Sequence, residues 1–71
     1  MTAFKHFYVN NNPQPTGEHE IHKEGCEKLK EVKSRIYIGY CLNCKEAIER
    51  AAKIYPKVDG CYYCCDKYHN V

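Results

Sequence analysis

The pattern of hydrophobic and polar residues predicts two short β-strands in the first third of the chain. Residues 4–9 are rich in aromatic and β-branched side chains and precede a loop rich in Asn, Pro and Gly at residues 10–17. Residues 19–22 alternate in character, which would place Ile21 on one face of a strand and His22 on the other. These patterns therefore predict an antiparallel pair of strands, with His22 at the end of the second strand.

A third strand is predicted in the middle of the chain. Residues 27–34 are mostly charged and indicate a helical turn or an extended connection at the surface. Residues 35–40 follow with the strongest strand pattern, since Ile36, Ile38 and Tyr40 would share one face and cover the core. We expect this strand to lie at the centre of the sheet.

One helix is predicted at residues 43–55. Asn43 has the chemistry of an N-cap, Glu46 can complete a capping box, and Pro56 ends the helix. The following residues, 57–60, predict a turn. The apolar side of the helix is a stripe of five residues: Ala47, Ile48, Ala51, Ala52 and Tyr55. Together these elements predict a small α+β domain with an antiparallel sheet of about three strands and one main helix.

The length and the cysteine content predict a chain that needs a cross-link. At 71 residues, the chain makes a single domain whose core is too small for much stability by itself. Six cysteines could form disulfides or bind metal. Because the N-terminus lacks the apolar segment of a signal peptide and no stretch could span a membrane, we expect a cytoplasmic, monomeric protein. A reducing compartment favours metal binding over disulfides.

Two doublets of metal ligands are candidates for one site. His22-x3-Cys26 and Cys61-x2-Cys64 together offer one imidazole and three thiolates. Gly25 allows a tight turn that would aim the Cys26 sulfur at the same point as His22. Such a closed set of soft ligands is typical of a structural zinc site, whereas a catalytic zinc keeps one position for water. The sequence therefore predicts one structural Zn²⁺ held by these four residues.

A rival doublet leaves the ligand set open. Cys41-x2-Cys44 combines with the Cys61 doublet into the spacing of a four-cysteine zinc ribbon. Ribbon doublets lie in hairpin turns, however, whereas Cys41 would end a strand and Cys44 would begin the capped helix. Cys65-x3-His69 is a weaker reserve pair, because adjacent cysteine side chains rarely point at one ion.

The order of these features resembles the metal-binding N-terminal domain of Ada DNA-repair proteins and related short Ada-like modules. The resemblance covers most of the chain, with short motifs, and favours His22 and Cys26 as ligands. It implies an Ada-like zinc fold. The matching features are an aromatic strand (7–9), a Thr-Gly turn (16–17), the first doublet (22–26), a strand (35–40), a helix (43–55) and the closing Cys-x2-Cys (61–64).

One departure from the Ada pattern concerns chemistry. The resemblance implies that the first ligand of an Ada repair domain is a zinc-bound thiolate that accepts a methyl group from DNA. This chain has His22 there, and an imidazole bound to zinc has no lone pair left for that reaction. We therefore do not expect methyl transfer, and we find no other catalytic constellation that would make the chain an enzyme.

The function that the sequence favours is a structural zinc module that presents a surface to a protein or nucleic-acid partner. A net charge of +2 is too small to identify a polyanionic partner. The alternatives are thiol-based redox or metal sensing through spare cysteines, and weak DNA binding by analogy with Ada. The spare cysteines are Cys41, Cys44 and Cys65. The candidate nucleic-acid contacts are Lys28, Lys30, Lys33 and Arg35.

Overall fold

The structure is a mixed β-sheet with an α-helix packed on one face. It is a computed structural model that describes residues 4–65 and 67. The elements are β1 (Lys5–Asn10), β2 (His19–Lys23), a 3₁₀ helix (Glu27–Glu31), β3 (Arg35–Cys41), α1 (Cys44–Ala51) and β4 (Val58–Gly60). The four strands have the order β3-β1-β2-β4. The prediction of a small α+β domain is confirmed.

The sheet differs from the prediction in strand number, direction and order. β4 is a fourth strand, pairs parallel with β2 and lies where the sequence predicted a turn. Three residues that include Asp and Gly are too few and too polar to show a strand pattern. β3 lies at the edge and not at the centre, because β1 pairs with both β2 and β3. The central place goes to the strand that carries Phe7 and Val9, which are 1% and 0% exposed.

An extra residue in β3 explains why Tyr40 does not cover the core as predicted. Consecutive residues of β1 pair with Gly39 and Tyr37, which leaves Ile38 as an extra residue. Ile36 and Ile38 pack against the core as predicted, but Tyr40 lies on the opposite face and is 45% exposed. Gly39 has a φ of +143°, and a Cβ at this position would lie 2.5 Å from the guanidinium of Arg50. A strict alternation over residues 35–40 could not reveal this change of face.

The core lies between α1 and the face of the sheet that carries Phe7, Val9 and Ile21. The helix contacts β2, β3 and β4, so it covers the sheet from one edge to the other. The other face carries the side chains that alternate with these three residues. The buried core residues are Phe7, Val9, Ile21, Cys41, Cys44, Ala47, Ala51 and Cys65.

The helix begins as predicted and ends earlier. The side chain of Asn43 accepts a hydrogen bond from the amide of Glu46 at 3.0 Å, which confirms the N-cap. The Glu46 carboxylate accepts from the amide of Leu42, one residue before the cap, and also pairs with Arg50 at 2.8 Å. The helix ends at Ala51 and not near residue 55. In residues 4–65 and 67, no helix is long and apolar enough to cross a membrane.

Candidate metal centre

The parallel pairing of β2 and β4 places His22 beside Cys61. Ile21 pairs with Gly60, and the amide of Cys61 donates a hydrogen bond to the carbonyl of Ile21 at 3.1 Å. His22 follows Ile21 and Cys61 follows Gly60, so these two residues lie side by side on the face of the sheet opposite α1. The strand that the sequence did not predict is thus the element that brings the two doublets together.

A tight turn after β2 returns Cys26 to His22. Gly25 has a φ of +84°, which favours glycine, and the amide of Cys26 donates to the carbonyl of Lys23 at 3.1 Å. The Cys26 Sγ consequently lies 3.9 Å from the Nδ1 of His22. The turn thus serves the role that the sequence predicted for this glycine.

The loop after β4 directs two sulfurs to the same place. The amide of Cys65 donates to the carbonyl of Cys61 at 2.8 Å, which closes a turn. The amide of Tyr63 donates to the Sγ of Cys61 at 3.4 Å, and the amide of Lys23 donates to the Sγ of Cys64 at 3.4 Å. Such amide donors stabilise negative charge on sulfur. They therefore favour the thiolate form, which is the form that binds metal.

The four predicted ligands form one compact group. One ligand atom from each of His22, Cys26, Cys61 and Cys64 lies within 4.8 Å of all the others. The sulfurs of Cys26 and Cys61 are 3.9 Å apart. A tetrahedral zinc with Zn–S bonds of about 2.3 Å would separate two sulfurs by about 3.8 Å. The group could therefore hold a metal ion.

Burial changes the pKa of the candidate ligands in ways that matter for metal binding. Burial lowers the pKa of His22, so the imidazole is neutral near pH 7 and offers a lone pair. Burial also raises the pKa of Cys61, and it raises the pKa of Cys64 to about 12. Without a cation, both thiols keep their protons. A metal ion would displace these protons, so its affinity would fall as the pH falls.

Glu20 is a functional candidate that the sequence reasoning missed. Its Oε1 lies 3.6 Å from the Nε2 of His22, on the side of the ring away from Cys26. This distance is longer than a hydrogen bond, but a small movement of the carboxylate would let it accept from Nε2–H and so orient a metal-binding imidazole and fix its tautomer. The available signal was the alternation in β2, which places Glu20 and His22 on the same face of the strand.

The remaining cysteines lie outside this group. Cys41 is buried in the core, and burial raises the pKa of its thiol. Cys44 and Cys65 form a disulfide, which corrects the expectation that both are spare thiols. Adjacent side chains diverge as expected, because Cys64 faces the candidate ligands while Cys65 faces the helix. The reserve ligand His69 lies outside the described residues.

Three of the four predicted nucleic-acid contacts line pockets beside the candidate ligand Cys26: Lys28, Lys30 and Arg35. The Nζ of Lys28 lies 4.7 Å from the ring centroid of Tyr63 and 3.7 Å from the carboxylate of Glu31. The Cζ of Arg35 lies 5.2 Å from the ring centroid of Tyr8. Lys28 and Lys30 belong to the 3₁₀ helix, Lys33 lies between this helix and β3, and Arg35 is the first residue of β3.

A groove of about 790 Å³ opens beside two of the candidate ligands, Cys26 and Cys64. Its walls contain basic and acidic side chains and one tyrosine. Because Cys64 is only half-buried, the groove offers a path by which an ion could reach the group. The other lining residues are Lys5, Lys23, Glu24, Gly25, Glu27, Lys28 and Tyr63.

The fold and this group define a small α+β domain with a candidate metal centre of one imidazole and three thiols. No protein family, curated protein or solved structure matches the chain. The resemblance to Ada-like domains therefore stays a prediction.

Proposed function

We propose that the chain is a structural zinc-binding module whose metal fixes an interaction surface. The observation that carries this proposal is the convergence of ligands from two distant segments, residues 22–26 and 61–64, within 4.8 Å. Three thiols and an imidazole favour zinc over magnesium or calcium, which prefer oxygen ligands. The ion would join the turn after β2 to the loop after β4.

A structural role follows from the closed ligand set. Four protein ligands fill the tetrahedral positions of zinc, so no position remains for a water or a substrate. The exposed fractions of His22, Cys26 and Cys61 are 2%, 9% and 1%. We extend this proposal to an Ada-like module without methyl-transfer activity, because the position of the accepting thiolate holds His22.

The test compares two single substitutions, His22→Ala and Cys44→Ala. The first removes a ligand, so it should abolish stoichiometric zinc binding and unfold much of the chain. The second removes one half of the disulfide, so it should leave one zinc bound per chain. Zinc content after dialysis and far-ultraviolet circular dichroism measure both effects. The proposal fails if His22→Ala keeps its zinc, and loss of zinc from Cys44→Ala alone would favour the four-cysteine alternative.

The disulfide favours a second candidate, a zinc module that responds to redox conditions. Cys65 is bonded to Cys44 of the helix, and its neighbour Cys64 is a candidate ligand. A dithiol reductant would transfer two electrons and two protons to the Cys44–Cys65 bond, leaving two thiols and an oxidised reductant. The ligand loop would then lose its covalent tie to α1.

The matched comparison is the oxidised chain against the double variant Cys44→Ser/Cys65→Ser, which cannot form this bond. Ordering one more residue costs about 1–2 kcal/mol, so we expect zinc affinity to fall by about tenfold in the variant. Competition with a chromogenic chelator measures both dissociation constants. Equal affinities would remove the redox candidate and leave the structural proposal intact.

A further inference from the structure

The face of the sheet opposite α1 carries an array of aromatic rings on β1, on β3 and on Phe4, the residue before β1. We call it the aromatic face. The rings of Phe4 and Tyr40 have centroids 5.4 Å apart, those of His6 and Tyr40 are 4.8 Å apart, and those of Tyr8 and Tyr37 are 5.5 Å apart. Phe4, Tyr40 and Tyr37 are 40%, 45% and 51% exposed. Large aromatic rings grouped at the surface indicate an interaction site.

The irregularity at Ile38 creates this array. Because the extra residue shifts the register, Tyr37 and Tyr40 both pair with residues on the same side of β1, namely Tyr8 and His6. The Nδ1 of His6 and the hydroxyl of Tyr37 are 2.7 Å apart and form a hydrogen bond. Neighbouring rings thus hold one another in place, so little conformational freedom remains to be lost on binding.

Basic residues border the aromatic face. Arg35 lies over the ring of Tyr8, and its guanidinium is 3.5 Å from the carbonyl of Leu29 in the 3₁₀ helix. Residues 27–35 contain four basic and two acidic side chains, a local net charge of +2. Lys30 and Lys33 are exposed in this segment. Arg35 therefore places positive charge beside the ring of Tyr8, and the exposed Lys30 and Lys33 lie in the segment that precedes it.

We propose that the aromatic face binds a single-stranded nucleic acid. Bases would stack on the exposed rings of Tyr37 and Tyr40, while phosphates contact Lys30, Lys33 and Arg35. The bases of a duplex are already stacked on each other, so few base faces of a duplex are free to stack on these tyrosine rings. Stacking does not involve the sugar, so DNA and RNA strands of one sequence should bind alike. This inference deepens the proposed function, since the partner occupies the surface that the metal module presents.

The experiment measures fluorescence anisotropy with the full zinc-loaded chain. The probes are a labelled strand of about 12 nucleotides as DNA, the same sequence as RNA, and the DNA duplex. We expect both single strands to bind within a few-fold of each other and the duplex at least about tenfold more weakly. Raising the salt concentration should weaken binding with a log–log slope of about −0.7 per phosphate contact. No binding of the single strands at low salt, or a preference for duplex, overturns the proposal.

Matched variants locate the site. Tyr37→Ala/Tyr40→Ala should weaken single-strand binding by about tenfold or more, and Tyr37→Leu/Tyr40→Leu should do the same while keeping apolar bulk on the strand. Ile54→Ala removes a side chain that is 44% exposed in the turn directly after α1, on the helix side of the sheet, and should bind normally. Normal binding by both tyrosine variants overturns the proposal.

Metal content separates this inference from the structural proposal. Zinc is measured on every preparation used for anisotropy. If zinc-loaded protein does not bind single strands, only the nucleic-acid inference is overturned. Protein that stays folded without zinc and binds the strands through Tyr37 and Tyr40 overturns only the structural zinc site.

Discussion

Two doublets of the same spacing, Cys41-Leu42-Asn43-Cys44 and Cys61-Tyr62-Tyr63-Cys64, have different fates in this fold. In the first, Cys41 is buried in the core and Cys44 forms a disulfide with Cys65. In the second, both sulfurs belong to the candidate metal centre. Equal spacing therefore does not give equal chemistry.

The backbone between the cysteines accounts for the difference. Asn43 is extended, with φ −157° and ψ 178°, and the helix begins at the next residue, so the first doublet spans the end of a strand and the start of a helix. The second doublet lies in a turn closed by the hydrogen bond from the amide of Cys65 to the carbonyl of Cys61. Within that turn the amide of Tyr63 donates to the Sγ of Cys61. The amide of Lys23, at the end of β2, donates to the Sγ of Cys64. The tight turn and these amide donors are what distinguish the candidate ligand pair from the first doublet.

The largest expected effect comes from breaking each doublet at its first cysteine. Cys61→Ser should abolish zinc binding and unfold most of the chain, because structural zinc contributes about 10–16 kcal/mol in small zinc-dependent domains. Cys41→Ala should keep one zinc per chain and lose about 1 kcal/mol of stability through a small cavity. Metal analysis and chemical denaturation of the two variants measure this contrast. Equal zinc loss in both variants would contradict it.

The sequence predicted the local features of this comparison better than its long-range ones. The cap at Asn43 and the turn at Gly25 depend on neighbouring residues, and both are present. β4 depends on pairing with β2, which no local pattern of three residues can show. The Cys44–Cys65 bond likewise depends on where α1 packs. The reducing compartment that we expected favoured free thiols at both positions, and no local pattern shows that these two side chains would meet.

The disulfide is the second test, because it is the covalent counterpart of the metal centre. The variant Cys44→Ser/Cys65→Ser should lower the free energy of unfolding by about 3 kcal/mol, the loop-closure term for a crosslink of this length, whose ends are 21 residues apart. The stoichiometry of zinc should stay at one. Denaturation of the zinc-loaded variant, beside the reduced wild type as control, provides the measurement. Stability unchanged from the oxidised wild type would show that the bond contributes nothing.

A smaller effect is expected from a change at Glu20. This residue lies beside His22, the candidate ligand that would bind the same ion as the second doublet. Glu20→Gln keeps the size of the side chain but removes the carboxylate 3.6 Å from Nε2. Zinc affinity should fall by about 10–100-fold, while zinc-loaded protein stays folded. Glu49→Gln, an exposed change on α1, is the matched control. Chelator competition that gives the same affinity for both variants would remove Glu20 from the site.

The smallest effect tests why the first doublet stays apart from the metal. Asn43→Ala removes the acceptor for the amide of Glu46 and should lower stability by about 1 kcal/mol. The substitution leaves the turn of the second doublet intact. We therefore expect the zinc affinity of the variant to equal that of the wild type. Asn12→Ala, in an exposed loop, is the control. A gain in bound zinc beyond one ion per chain would show that the cap itself withholds the first doublet from metal.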